Sequence, residues 1–303
     1  MRFFVATRSI DIPPDVRRFA SVDGSVPGAT VTWNHHVSGE LVNLDAMPER
    51  FDPSTIDAVG TTSADTDAVA SAVTAVLGGR AAVAPELLRV LHAASHWCDL
   101  LGPDAEASVV ESSRGRGLHE WVTQRLARDE DRSRAFEAVT RELLGIVVRG
   151  EPIPSAEPDP SAAIRARALV ARGRVVRSGV VALADLTGED RIDPIEIYAA
   201  VDADVVVVLD REGPHGRTYT VGVNPTAETK RDLRPALDAI AIREHAHGPP
   251  ALAPTAIPGS ENWGGRASVF GSPWNYGSRL APNEVLDLVV EALGLPPTTI
   301  RRS

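Results

Sequence analysis

Short apolar runs separated by longer amphipathic stretches set the pattern of the first half of the chain. Thr30–Trp33 and Ile56–Val59 are brief segments that end in polar residues, the pattern of buried strands. Asp67–Leu77 is an unbroken helix-forming run closed by Gly78-Gly79, a glycine stop. From Pro85 to about Leu101, residues Leu87, Leu91, Ala94, Cys98 and Leu101 recur at helical spacing, and a proline in the first turn loses no hydrogen bond. His92, His96 and Asp99 recur at i, i+4 and i+7 and form a polar stripe beside that apolar face. A longer helical pattern runs from about Leu118 to Val148 through Trp121, Leu126, Phe136, Val139, Leu143 and Leu144, and Asp129-Glu130-Asp131 divides it. Strands alternating with helices predict an α/β sheet with helices packed on it.

The prolines of the segment from Gly150 to Pro160 can neither continue a helix nor fill a central strand, so it reads as an extended linker. Beyond it, Ala162–Ala171, Ile195–Ala200, Leu233–Ile240 and Pro282–Leu293 read as helices, and Val180–Asp185, Asp204–Leu209 and Tyr219–Val223 as strands. The run Val205-Val206-Val207-Val208-Leu209 has the β-branched composition of a buried central strand. The expected organisation is therefore an α/β domain with a mainly parallel sheet over 1–150, a proline-rich linker over 151–160, and a smaller α/β domain over 161–303.

Composition narrows the function classes. A chain of 303 residues can bury two cores, and 43% hydrophobic with 24% charged residues is the range of a soluble globular protein. A formal net charge of −10 argues against a duplex DNA binder, although a nucleotide can still be held in a local pocket. Cys98 is the single cysteine, which excludes an internal disulfide, suits a reducing compartment, and falls on the apolar side of its helix as a small hydrophobe. Charge interrupts the N-terminus too soon for a signal peptide, and no run approaches a membrane span, so a cytoplasmic location without a membrane partner is expected.

Three polar clusters carry candidate chemistry. Asp65 and Asp67 sit where the strand ending at Val59 turns into the helix starting at Asp67, the edge of an α/β sheet where ligands bind. One aspartate is enough to cap the helix, and the other suits a hard divalent cation. His35 and His36 follow the strand Thr30–Trp33; neutral imidazole is a common ligand for Mn²⁺, Zn²⁺ and Fe²⁺. Asp45 follows a few residues on, and Asp99 lies on the His92–His96 stripe; both are reserve ligands. For each cluster the competing reading is ordinary: a cap, a surface loop, a solvated helix face.

The second half has its own constellation. Glu261-Asn262-Trp263-Gly264-Gly265-Arg266 concentrates small residues, an amide and an arginine. Paired glycines let backbone N–H groups approach an anion, and a guanidinium clamps phosphate or carboxylate in bidentate fashion. Asn262, Gly264, Gly265 and Arg266, with Asn224 and Arg217, are the candidate substrate-binding residues. The bland alternative is a tight hairpin whose glycines serve the turn.

Together these residues resemble the DHH phosphoesterase superfamily over most of the chain. Asp65-Thr66-Asp67-Ala68-Val69-Ala70-Ser71-Ala72 is similar to its first motif, an aspartate pair opening a helix at a strand end, and Asn34-His35-His36 is similar to its Asp-His-His. The segments Tyr219–Val223, Leu233–Ile240 and Trp263–Ser268 follow the order of its smaller DHHA1 domain. Three features depart from the pattern: His35-His36 precedes the aspartate pair, Asn34 stands at the aspartate position, and Arg266 stands where a Gly-Gly-His loop has histidine.

The resemblance implies a metal-dependent phosphoesterase, a hydrolase acting on a small phosphorylated molecule or short nucleotide in a cleft between two domains. It implies Mn²⁺ or Mg²⁺ held by Asp65, Asp67, His35 and His36, activating water and neutralising phosphoryl charge. The alternative is a degenerate, non-catalytic nucleotide- or metabolite-binding protein of the same architecture.

Overall fold

The computed structural model describes all residues except 7–8, 100–106, 191, 193, 214–215, 226, 228, 230, 248–261, 274–276, 296–300 and 303. Leu101 and Glu261, both singled out in the sequence, lie outside the described residues. The architecture is mixed α/β, with one parallel sheet and a second, mixed sheet. The chain divides into two compact units, one spanning Met1–Pro158 and the other beginning at Asp159.

The first unit is built on four strands: β1 (Arg2–Val5), β2 (Phe19–Val22), β3 (Val31–Trp33) and β4 (Ala58–Thr61). They are ordered β1-β4-β2-β3, and every pairing is parallel. Parallel strands are buried on both faces, which explains why all residues of β2 and β4 are buried. Two short helices follow β3, α1 (His35–Ser38) and α2 (Asn43–Ala46). The remaining helices are α3 (Thr66–Leu77), α4 (Pro85–Cys98), α5 (Val109–Leu126) and α6 (Arg132–Arg149). The long pattern expected from Leu118 is two helices, and its first one begins earlier, at a Ser108–Glu111 capping box. Helix α6 covers the edge strand: the Ser133 hydroxyl accepts from Val5 N–H (2.9 Å) and donates to Val5 C=O (3.1 Å), and Phe3 meets Phe136 edge-on.

The second unit begins with α7 (Pro160–Ala171), which follows directly on the proline-rich segment. Its strands are β5 (Val175–Ser178), β6 (Val181–Asp185), β7 (Val205–Gly213), β8 (Gly216–Val223), β9 (Gly264–Gly265), β10 (Val269–Gly271) and β11 (Arg301–Arg302). They form one sheet ordered β11-β5-β6-β7-β8-β10-β9, in which only β6 and β7 are parallel neighbours among the described residues. Helix α8 (Pro194–Ala200) is the crossover between β6 and β7, as parallel pairing requires. Helices α9 (Arg234–Ala246) and α10 (Pro282–Ala292) pack with Val205, Val207 and Leu209 of β7, while Val206 and Val208 on the opposite face are equally buried. The β-branched run is thus a central strand.

Candidate metal centre

Three loops leave the carboxyl ends of the adjacent strands β4, β2 and β3, the edge of an α/β sheet where ligands bind. The loop after β2 supplies Asp23, the loop after β3 supplies His35 and His36, and the loop after β4 supplies Asp65 and Asp67. Helix α4 ends in the same region and supplies Cys98 and Asp99.

His35 is the hub, with a fully buried side chain. Its Nε2 lies 2.9 Å from Asp23 Oδ1, 3.2 Å from His36 Nε2 and 3.8 Å from Asp67 Oδ2. His36 Nε2 is 3.5 Å from the same Asp23 oxygen. Ligands about 2.1 Å from one cation, at octahedral to tetrahedral angles, stand about 3.0–3.4 Å apart. The Asp23–His35–His36 spacings match that separation. On the other edge of the ring, Nδ1 faces the Leu41 carbonyl (3.4 Å) and Asp99 Oδ2 (3.8 Å). Acceptors thus lie at both ring nitrogens, Asp23 at Nε2 and Leu41 and Asp99 at Nδ1; a cation at Nε2 would place the ring proton on Nδ1. Among the described residues two groupings could hold an ion, Asp23–His35–His36 and His35–Asp67–Asp99, and they share His35.

The carboxylates fit a cation as well. Asp67 is wholly buried; its Oδ2 accepts from the Asn43 N–H at 2.9 Å, and its Oδ1 has no hydrogen-bond partner among the described residues. An orphaned, buried carboxylate oxygen is costly unless a ligand completes it. Asp65 takes the capping role, accepting from Ala68 N–H at 2.9 Å. Burial pushes its carboxyl well above the usual range, and the charge of Asp23 and then that of Asp67 add to the effect. Two carboxyls in contact in this way are what a divalent cation would separate. Asp23 has φ +47°, the left-handed region, and Gly24 behind it leaves no room for a side chain, since a Cβ would meet Thr62 Oγ1 at 2.1 Å. The chain bears that backbone cost at the position that aims Asp23 inward. His36 is one-third exposed, so the cluster opens to solvent on its side.

The other predicted residues of this unit sit elsewhere or act indirectly. Asp45 lies outside both groupings and meets His92 Nε2 at 3.1 Å. Burial acts to raise its carboxyl, but the His92 hydrogen bond and the charges of His92, Arg80 and His96 outweigh it and hold the group below the usual range. Asn34 caps α1, accepting from His36 N–H. Cys98 is not enclosed in apolar core alone: burial first, then Asp65, Asp99 and Asp67, push its thiol up, which keeps it protonated and unreactive. Asp23 was not visible to sequence reading, because β2 is four residues long and follows Arg17-Arg18. The available signal was Asp-Gly directly after Phe19-Ala20-Ser21-Val22.

In the second unit the candidate residues are largely engaged. The Asn224 side chain donates to the carbonyls of Tyr198 and Ala203, both at 3.1 Å. Arg217 pairs with Glu212 (2.6 Å) and reaches the carbonyls of Arg279 and Leu280. Gly264-Gly265 is strand β9 of a hairpin with β10, the ordinary reading weighed above. Gly265 has φ +148°, and a Cβ there would strike Phe270 Cα at 2.4 Å. Trp263 is a packing residue that stacks on Tyr219 and donates its indole N–H to Glu244. Asn262 and Gly264 are exposed, and Arg266 is half-buried.

No family model matches the chain, and no curated protein matches it in sequence. Among solved structures, the pGpG-specific phosphodiesterase PggH from Vibrio cholerae is similar over 84% of this chain and 92% of that one, at 11% identity and TM-score 0.38. An uncharacterized protein from Helicobacter pylori G27 is similar over 68% of this chain and 54% of that one, at 10% identity and TM-score 0.25. Among the described residues no helix is long and apolar enough to cross a membrane.

Proposed function

We propose that the first unit is the catalytic part of a metal-dependent phosphoesterase acting on a small phosphorylated molecule or short nucleotide. One observation carries the reading: Asp23, His35 and His36, from two separate loops, bring their ligand atoms within 3.5 Å of one another at the carboxyl edge of the sheet, and Asp67 Oδ2 from a third lies 3.8 Å from His35 Nε2. A mixed imidazole and carboxylate set suits Mn²⁺, Fe²⁺ or Mg²⁺ better than a thiolate site would. The likeness of Asp65–Ala72 and Asn34–His36 to the DHH motifs supports phosphoester chemistry. A bound cation would supply an acidified water and neutralise charge on the phosphoryl oxygens.

The chain's own residues have separable parts in this scheme. His36 lies on the open side, and the buried Asp23 presents Oδ1 to both histidines. Asp67 presents Oδ1 from the buried side, while Leu41 and Asp99 hold the His35 ring by Nδ1. Within the second unit taken by itself, the exposed Gly264 and half-buried Arg266 are the candidates for holding an anion. The test is release of p-nitrophenol from mono- and bis(p-nitrophenyl) phosphate, and of mononucleotide from a short oligonucleotide. EDTA-stripped protein is compared with and without Mn²⁺ or Mg²⁺. Mn²⁺-dependent turnover lost in His36→Ala supports the reading; binding of Mn²⁺ without turnover on any of these substrates overturns it in favour of a non-catalytic binding protein.

A further inference from the structure

Asn43 is wholly buried and contributes no atom to either ion-holding grouping among the described residues, yet it is bonded to both ligand loops. Its backbone N–H donates to Asp67 Oδ2 at 2.9 Å. Its side-chain Oδ1 accepts from the His35 N–H at 3.2 Å. Its side-chain Nδ2 donates to Ser71 Oγ at 3.0 Å, and Ser71 lies one turn beyond Asp67 on α3. We propose that Asn43 is a positioning residue that sets the spacing between His35 and Asp67 in the metal centre, an inference that rests on the metal-centre reading above.

The chemistry of the side chain fits the role. An amide offers an acceptor and a donor on one rigid plane without charge. The acceptor fixes the first residue of α1, and the donor fixes the first turns of α3, so β3 and β4 deliver their ligands in register. An aspartate at 43 would set another carboxylate beside Asp67, and leucine would orphan the buried His35 N–H and Ser71 hydroxyl. The bond from the backbone N–H also decides which Asp67 oxygen is left over: Oδ2 is engaged and Oδ1 is presented. Outer partners of this kind set how tightly a metal is held without touching it.

The experiment is Mn²⁺ titration of the EDTA-stripped full chain by calorimetry, well below the melting temperature, for wild type, Asn43→Ala and Ser71→Ala. Electron paramagnetic resonance of the bound Mn²⁺ counts its coupled imidazole nitrogens. Asn43→Ala is expected to weaken Mn²⁺ roughly 10–100-fold and to lose one imidazole coupling. Ser71→Ala, which cuts only the anchor, is expected to weaken binding by less. A lowered melting temperature with wild-type Mn²⁺ affinity and both couplings would make Asn43 a structural residue and overturn the proposal. If Asn43→Ala does not fold, Ser71→Ala decides: unchanged affinity overturns, weakened affinity supports. A wild type that holds no Mn²⁺ refutes the centre itself and this inference with it, whereas tight wild-type binding unaltered in both variants refutes the positioning role alone.

Discussion

Replacing Asp67 by asparagine separates what the carboxylate does for the fold from what it does for a cation. Asparagine keeps an oxygen where Oδ2 accepts from the Asn43 N–H, so that bond falls only from a charge-assisted to a neutral one, a loss of about 1 kcal/mol. The same change removes a buried charge whose Oδ1 has no partner among the described residues, which offsets part of the loss. The metal-free variant should therefore stay within about 1 kcal/mol of wild type. With a cation at 100 times its dissociation constant, a site in the native state adds about 2.7 kcal/mol. For a unit of this size that is a rise in melting temperature of roughly 5–11 °C. Wild type should show that rise between EDTA and Mn²⁺, and Asp67→Asn should show none. Thermal melts followed by circular dichroism, paired with calorimetric titration, make the measurement. Equal rises in both proteins would remove Asp67 from the centre. A metal-free variant weakened by more than about 3 kcal/mol would show that Asp67 is held for folding instead.

Asp65 makes the metal-free protein pH-sensitive. Its folded carboxyl titrates above the unfolded value of 3.8, because of burial first and Asp23 next, so the folded state binds the extra proton and stability falls as pH rises through the folded value. Urea denaturation in EDTA, followed upward in pH from just above the unfolded value, should show stability falling, and Asp65→Asn should flatten that fall. In the second unit, Glu244 accepts from Trp263 Nε1 (3.0 Å), Ser278 Oγ (2.5 Å) and the Arg279 N–H (2.9 Å), so Glu244→Ala leaves three donors stranded. It should cost roughly 3 kcal/mol in urea denaturation, with Glu244→Gln milder. Arg266→Ala should weaken a phosphorylated ligand by roughly 1.5–3 kcal/mol while leaving Mn²⁺ affinity intact; a nucleotide titration with equal affinities would take Arg266 out of the site.

The elements with long or saturated patterns were legible in the sequence. Asp67–Leu77, the start of α4 and the Val205–Leu209 strand are found close to where periodicity puts them, because each buries a face wide enough to leave a regular trace. The short strands were not. Strands β1 and β2 are four residues each and buried on both faces, so they carry no alternation to read, and β4 lies two residues beyond the expected strand. The same limit governs the site. His35, His36 and the aspartate pair stand beside recognisable elements, so sequence finds them, whereas Asp23 follows a strand that sequence does not show. Asn43 is hidden for another reason: two of its three bonds go to backbone or to a carboxylate far along the chain. The second unit's glycines and arginines suit an anion loop as well as hairpins and ion pairs, and composition alone does not distinguish these uses.

The strand order gives the centre an early half and a late half during synthesis. β2 and β3 are neighbours joined by residues 23–30, so they can pair as soon as they emerge, with little loop-closure entropy. That pair alone carries Asp23, His35 and His36. β1 must wait, because its partner β4 is inserted between it and β2 much later in the chain. Asp67 and Asp99 arrive only with β4 and the helices after it. If the centre holds a cation as proposed, a nascent chain would present three of its ligands before the sheet is complete. Binding to such an incomplete state lowers the stabilisation that metal gives the native one. A cation held there would sit at the seam into which β4 docks, so refolding with Mn²⁺ present from the start and with Mn²⁺ added afterwards is expected to give different yields of folded protein.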